Sequence, residues 1–304
     1  MKKLLFIILI FNVLFFSAQK NISNNSDLAL QNMINTLKHD TCINKTFSIV
    51  FYVVLDSGQL PAVQPGPGNA TPAALNTMVA TLNTTFKKIC VQFLNCSTVY
   101  IPHHPFNNWT QNIVDPIVTS NWYTDKTINV YFVDQVSGQP ANEVGGYAYP
   151  PPPNLTTNAK DVIVLTKGSL NATNIAGTLN HNILHQFGHF FGLPNTFDEI
   201  GSPITPGPPP GVLNYEFFNR TNCYSQGDGF CDTEADCWPL NPPPSPLTSP
   251  CGYYRYPGMQ DGNGDFYVPP VDNMMSNWAC RCRFSQEQYN YMAYIILTRR
   301  LYLH

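Results

Sequence analysis

The sequence predicts an α/β domain built on a mixed sheet, followed by an irregular, disulfide-braced C-terminal region that closes on a helix. Three observations carry this expectation. Short β-branched and aromatic runs alternate with helical patterning through the N-terminal half, as they do where helices layer onto a sheet. Beyond it, three proline-rich stretches (Pro203 to Pro210, Pro242 to Pro250, Val268 to Pro270) separate cysteines, a texture that leaves little regular structure and calls for cross-links. Hydrophobic residues make up 43% of the 304 and charged residues only 12%, enough apolar surface for a sizeable core and too little charge for disorder.

The elements follow in order. Lys2 and Lys3 precede an apolar run from Leu4 to Phe16, broken only by Asn12 and followed by Ser17 and Ala18, so residues 1–18 read as a secretory signal peptide and the mature chain as exported. Residues 19–45 are a polar spacer or short pro-segment. Phe47 to Leu55 reads as a buried strand, Pro61 to Gly68 as a loop, and Leu75, Met78, Val79, Leu82 and Phe86 as the apolar face of a helix. Ile128 to Val133 and Asp161 to Leu165 are further strands, and Asn174 to Phe191 a second helix. Ser285 with Gln288 three residues on forms a capping box that opens the last helix. The division falls into an N-terminal subdomain, 46–192, and a C-terminal subdomain, 193–304.

Nine cysteines suit an oxidising compartment. Cys90 and Cys96 form a plausible local pair, Cys42 is the odd one out, either a free thiol or a propeptide thiolate that caps a metal, and most of Cys223, Cys231, Cys237, Cys251, Cys280 and Cys282 are expected to be oxidised among themselves. Ten N-x-S/T sequons add weak support for export. The formal net charge of -3 offers no electrostatic reason for a nucleic-acid or anionic-membrane partner.

The chemistry concentrates in His185-Gln186-Phe187-Gly188-His189-Phe190-Phe191-Gly192-Leu193-Pro194-Asn195. Residues four apart on a helix share a face, so His185 and His189 can aim both imidazoles at one metal ion. Gly192 permits a sharp turn that brings Asn195 round as a third ligand position. His181 and His185 form a second H-x-x-x-H one helical turn earlier, with Asn182 rather than an acid beside them. His181, His185 and His189 thus make a stripe that leaves another metal arrangement open.

This segment is similar to the metzincin zinc signature, in which three histidines hold zinc and a glutamate takes the proton from zinc-bound water. Two later segments make the resemblance one to the pappalysin family. Asn222-Cys223, Gly227-Asp228-Gly229 and Cys231-Asp232-Thr233 resemble its cysteine and aspartate block. Asp272-Asn273-Met274-Met275-Ser276 resembles its Met-turn, with Met275 at the methionine that lies beneath the metal. Gly146-Tyr147-Ala148 resembles the edge strand on the substrate side, and Phe284-Ser285 with Gln288 the entry to the C-terminal helix. The resemblance implies a metzincin-like fold, with a mixed twisted sheet over the active-site helix, and calcium in the post-helix block, where Asp228 and Asp232 match its aspartates. Asp261-Gly262-Asn263-Gly264-Asp265 is also oxygen-rich, but Phe266 stands where an EF-hand loop needs glycine, which favours a plain turn.

Two departures bear on activity. Gln186 occupies the general-base position, and an amide cannot accept and return a proton near neutral pH, a loss typically worth roughly 10²–10⁴-fold. Asn195 occupies the third-histidine position, and an amide oxygen is a weak zinc ligand beside imidazole. Asn277 also stands two residues after Met275, where the family commonly has tyrosine. Three functions follow: a pseudoprotease that binds a peptide or protein in the cleft with zinc weak or absent, a functioning zinc endopeptidase in which Glu143, Asp198 or Glu199 replaces the missing base, or a secreted structural or adhesive module. The chain is expected to act as a monomer, with no membrane partner once the leader is removed.

Overall fold

A computed structural model describes residues 41–56, 70–137, 145–153, 160–170, 172–173, 177–197, 216–236, 260–278 and 280–303. The leader, most of the spacer, the Pro61 to Gly68 loop, two of the proline-rich stretches and the cysteines Cys237 and Cys251 lie outside these residues.

Five strands form one mixed sheet in the order β2-β1-β4-β7-β6. β1 (Lys45–Val54), β2 (Val91–Ile101), β4 (Ile128–Val133) and β7 (Val162–Thr166) run parallel, and β6 (Gly146–Ala148) closes one edge antiparallel to β7. β3 (Asn108–Thr110) and β5 (Gln135–Ser137) pair separately. β4 is buried along its whole length and β1 nearly so, as central parallel strands must be when both faces are covered.

Helix α1 (Pro72–Phe86) connects the parallel β1 and β2. Thr71 caps it by accepting from the Ala74 N–H at 3.2 Å, and Pro72 sits in the first turn, where its missing N–H costs nothing. Its buried face is Ala74, Leu75, Met78, Leu82 and Phe86. Helix α2 (Val114–Asn121) lies on the opposite face, where Val118 joins Val50, Tyr52, Trp109, Tyr131, Val133 and Tyr147 in one apolar cluster.

Helix α3 (His181–Phe190) carries the histidines and packs beneath the sheet through phenylalanines. The Phe187 ring meets Phe93 of β2 at 5.5 Å, and Phe191 meets Phe47 of β1 at 5.6 Å. At about 100° per residue, His185 and His189 sit two residues, or about 200°, round the helix from this face. Anchoring the phenylalanines to the sheet therefore turns the imidazoles away from it. The helix begins later than the pattern from Asn174 predicts, because Asn180 adopts a left-handed conformation (φ 58°) and Thr173 bridges Leu179 just before it. Its last turn is held by Arg300, whose Nε donates to the Phe190 carbonyl at 2.8 Å.

Helix α4 (Gln286–Arg299) opens with the expected capping box: Ser285 accepts from the Gln288 N–H at 3.2 Å while Gln288 accepts from the Ser285 N–H at 2.9 Å.

The cysteine expectations divide. Cys223 and Cys231 are joined, as the C-terminal cross-linking anticipates. Cys90 pairs with Cys42, not with Cys96. The reason is the sheet. Parallel pairing sets Lys45 opposite Val91, so the residues entering the two strands lie together, and the Cα atoms of Cys42 and Cys90 are 4.8 Å apart. Cys96 is the extra residue of a bulge in β2, since Ile49 opposes Asn95 and Val50 opposes Ser97. Six residues of strand carry it about 20 Å from Cys90, beyond the reach of a disulfide. Cys96 is therefore an exposed free thiol.

Candidate metal centre

The turn after α3 places the third ligand position beside the segment from Asn273 to Ser276. Gly192 takes φ 93°, its N–H donates to the His189 carbonyl at 2.9 Å, and the Leu193 N–H donates to the Gly188 carbonyl at 2.9 Å. Three residues on, the Thr196 N–H donates to the Met275 carbonyl at 3.1 Å, so the chain carrying Asn195 runs against the methionine turn. That turn is fixed from the other side. Asn273 and Gln288 exchange amide hydrogen bonds at 3.1 and 3.2 Å, and Asn273 Oδ1 also accepts from the Met275 N–H at 2.8 Å. The Met275 sulfur is then so close to the histidine helix that a Cβ added at Gly188 would meet it at 2.4 Å. A glycine at this position is what lets the methionine approach the helix between the two histidine turns.

His185 and His189 converge. Their Nε2 atoms are 3.0 Å apart, with the rings nearly perpendicular. Each Nδ1 contacts a backbone carbonyl at 2.8 Å, Met274 for His185 and Leu193 for His189. A carbonyl only accepts, so each Nδ1 carries the hydrogen, and the two Nε2 atoms are left to face one another. Two such nitrogens attract one another only through a shared cation, a proton or a metal ion. Such carbonyl-bonded Nδ1 atoms are the orientation that metal-binding imidazoles take. His185 is held well below the usual histidine range, chiefly by burial, then by the charges of His189 and Arg281, against the bond to Met274.

The remaining positions do not complete that centre. Gln186 is buried, and its Oε1 has no hydrogen-bond partner among the described residues. Asn195 is buried as well. Among the described residues, no group of three His, Cys, Asp or Glu side chains is placed to hold a metal ion. The structure thus brings together two nitrogen donors, and the sequence offers only an amide, Asn195, for the third position. A catalytic zinc needs three strong ligands, an open position and a base, and the donors present do not fit it. Glu143, Asp198 and Glu199 lie outside the described residues. His181, one turn earlier, is pushed down to about 4 by burial and the Arg281 charge, so it is neutral near pH 7.

The post-helix block gathers acids. Asp228 is buried, accepts from the Phe230 N–H and the Thr233 hydroxyl at 3.0 Å each, and is pushed well above the carboxylate range by burial, with the charges of Asp232 and Asp236 adding to it. Asp232 Oδ2 accepts from the Glu287 N–H at 2.8 Å, while its buried Oδ1 has no partner among the described residues. Asp261 behaves differently. Its two oxygens accept from the backbone N–H groups of Asn263, Asp265 and Phe218, so this carboxylate organises a plain turn.

Sequence reasoning missed two residues that shape the site. Arg281 reaches the helix, its Nη2 donating to Asn182 Oδ1 at 2.9 Å, and Arg300 seals the helix end. Neither belongs to a motif, and each acts on residues about a hundred positions away.

Comparison with known proteins follows the same lines. The family model described as pregnancy-associated plasma protein-A matches residues 111–296. Among solved structures, a Tannerella forsythia promirolysin mutant is similar with TM-score 0.53 at 14% identity, covering 93% of this chain and 92% of that one. Mature Tannerella forsythia mirolysin, in complex with a cleaved peptide, gives TM-score 0.49 at 14% identity, with 83% and 90% covered. At such identity the likeness to promirolysin shows the fold alone. No curated protein matches the sequence.

Proposed function

The chain belongs to the pregnancy-associated plasma protein-A (pappalysin) family of metzincin-type metallopeptidases, and on that premise we propose that it is a secreted, catalytically impaired member that holds a peptide or protein without hydrolysing it. The observation that carries this reading is Gln186. It stands at the general-base position with its amide oxygen buried and without a partner among the described residues. That oxygen can accept a hydrogen bond from a water or a ligand N–H, but it cannot take up a proton near neutral pH. Asn195 compounds the loss, since two imidazoles and an amide leave zinc weakly held.

On this reading the ligand lies between the subdomains 46–192 and 193–304, along the outer edge of β6. β6 is the edge strand of the sheet, and among the described residues no strand pairs with its outer side. Unpaired N–H and C=O groups on such an edge accept an extended peptide as an added strand. The likeness of Gly146-Tyr147-Ala148 to the family's substrate-side strand supports placing the ligand there. Export is supported by the apolar leader and by the Cys42–Cys90 and Cys223–Cys231 bonds. Calcium in the acidic block is a further part of the reading. It is supported by the bare Asp232 oxygen and by the charges of Asp232 and Asp236 acting on Asp228, which a divalent cation would offset.

The test pairs metal analysis with peptide capture. The purified chain, immobilised and exposed to a broad peptide library, should retain a subset of peptides uncut and contain well under one zinc per chain. Cleavage abolished by a chelator would replace this reading with that of a working endopeptidase. Failure to retain any peptide would leave a structural module.

A further inference from the structure

The His185–His189 pair retains the geometry of a metal site, yet a permanent cation has been set beside it. Arg281 leaves the segment that follows the methionine turn and donates from Nη2 to Asn182 Oδ1 at 2.9 Å. Asn182 lies in the first turn of α3, three residues before His185 and four before Gln186, so it neighbours both along the helix. The same C-terminal stretch supplies the Met274 carbonyl that orients His185, at 2.8 Å from Nδ1. One segment therefore both aims the imidazole and brings a guanidinium to its helix.

We propose that Arg281 keeps divalent metal ions off the His185–His189 pair, a further departure from a working centre that lies outside the zinc motif. A guanidinium stays charged at any pH the folded chain experiences, even where burial lowers its pKa to about 10. A dication bound at the two Nε2 atoms would sit in its field in a partly desolvated site, where screening is weak. The hydrogen bond to Asn182, a neighbour of His185 on the helix, is what holds that charge within reach of the pair. Restoring the motif alone thus leaves an electrostatic obstacle in place. This inference rests on the reading that the centre is impaired, and it names what besides Gln186 and Asn195 impairs it.

The experiment measures zinc affinity of the full mature chain by competition with a chromophoric chelator. Four proteins are compared: the unmodified chain, Arg281→Met, Arg281→Gln and Arg281→Lys. Removing the charge should tighten zinc about tenfold or more, the scale of one nearby unit charge at intermediate dielectric. Lysine, which keeps the charge, should leave affinity within about threefold of the unmodified chain on the same argument. The gain should vanish when His185→Ala is added to Arg281→Met, which assigns it to the histidine pair. If Arg281→Met fails to fold, Arg281→Gln, which keeps an amide to meet Asn182, carries the comparison. Unchanged affinity in the folded neutral variant, or an equal gain in Arg281→Lys, overturns the proposal. Such an outcome with the unmodified chain still inert sinks only the role of Arg281, whereas chelator-sensitive hydrolysis by the unmodified chain sinks the impaired reading itself.

Discussion

Replacing Arg300 by methionine is expected to loosen the histidine helix from its C-terminal end. Arg300 is fully buried and pairs with Asp161, which is almost fully buried too. Its other nitrogens donate to the Phe190 carbonyl at 2.8 Å and the Tyr149 carbonyl at 2.9 Å, and the guanidinium lies 3.5 Å from the Phe190 ring centre. Methionine keeps much of the apolar stem but leaves a buried carboxylate without its cation and two carbonyls without donors. Removing one partner of a buried pair typically costs about 3–5 kcal/mol. Asp161 retains the Tyr302 hydroxyl at 2.6 Å, which moderates the loss and favours the lower part of that range. For a unit of this size the shift in Tm is roughly 2–4 °C per kcal/mol, so about 6–15 °C is expected. Denaturant unfolding of Arg300→Met, Asp161→Asn and the double variant measures it as a cycle. The double variant should recover a few kcal/mol relative to the sum of the singles. Hydrogen exchange should quicken at the Phe191 and Gly192 amides before the rest of the sheet responds. A loss under about 1 kcal/mol, or strict additivity, would show that the pair does not brace the helix.

Two other outcomes follow from the disulfide and from the buried histidine. Cys42→Ser should cost about 4 kcal/mol on the chain-entropy estimate, because the Cys42–Cys90 bond spans 48 residues; Cys96→Ser should cost little, and thiol labelling of the native chain should modify Cys96 readily. His181 has a folded value of about 4 against 6.5 unfolded, so below pH 6.5 the unfolded chain binds a proton that the folded chain refuses. Stability should therefore fall as pH drops from about 6.5 towards 4, and His181→Asn should flatten that limb by about 1–2 kcal/mol between pH 6.5 and 5, read by urea unfolding at each pH.

The legible part of this fold is the part with a period. β1, β4 and β7 show as buried apolar runs, and His185 with His189 as a helical repeat, because local spacing alone places those side chains. β2 is harder to see. Its middle, Leu94 to Ser97, is exposed around the bulge, so only its start alternates. Without β2 there is no way to see that Cys42 and Cys90 enter neighbouring parallel strands, and proximity in sequence favours Cys96 instead. Arg281 and Arg300 fall outside any pattern for the same reason. Their partners, Asn182, Phe190 and Asp161, are supplied by the tertiary fold, and an isolated arginine in a sequence gives no sign of the carbonyl or amide it will meet. The changes at Gln186 and Asn195 are visible because the residues around them resemble a zinc signature closely enough for a departure to stand out.

The central claim is that hydrolysis is lost because a base and a ligand are lost together. It is tested most directly by chelator-sensitive hydrolysis of a broad peptide library, measured for the unmodified chain and for Gln186→Glu/Asn195→His side by side. The unmodified chain should stay at background, each single change should rescue little, and the double variant should show zinc-dependent cleavage above background, larger still with Arg281→Met. Turnover by the unmodified chain that is chelator-sensitive and comparable to that of the double variant would contradict the account, since another residue would then be doing the work of the missing glutamate.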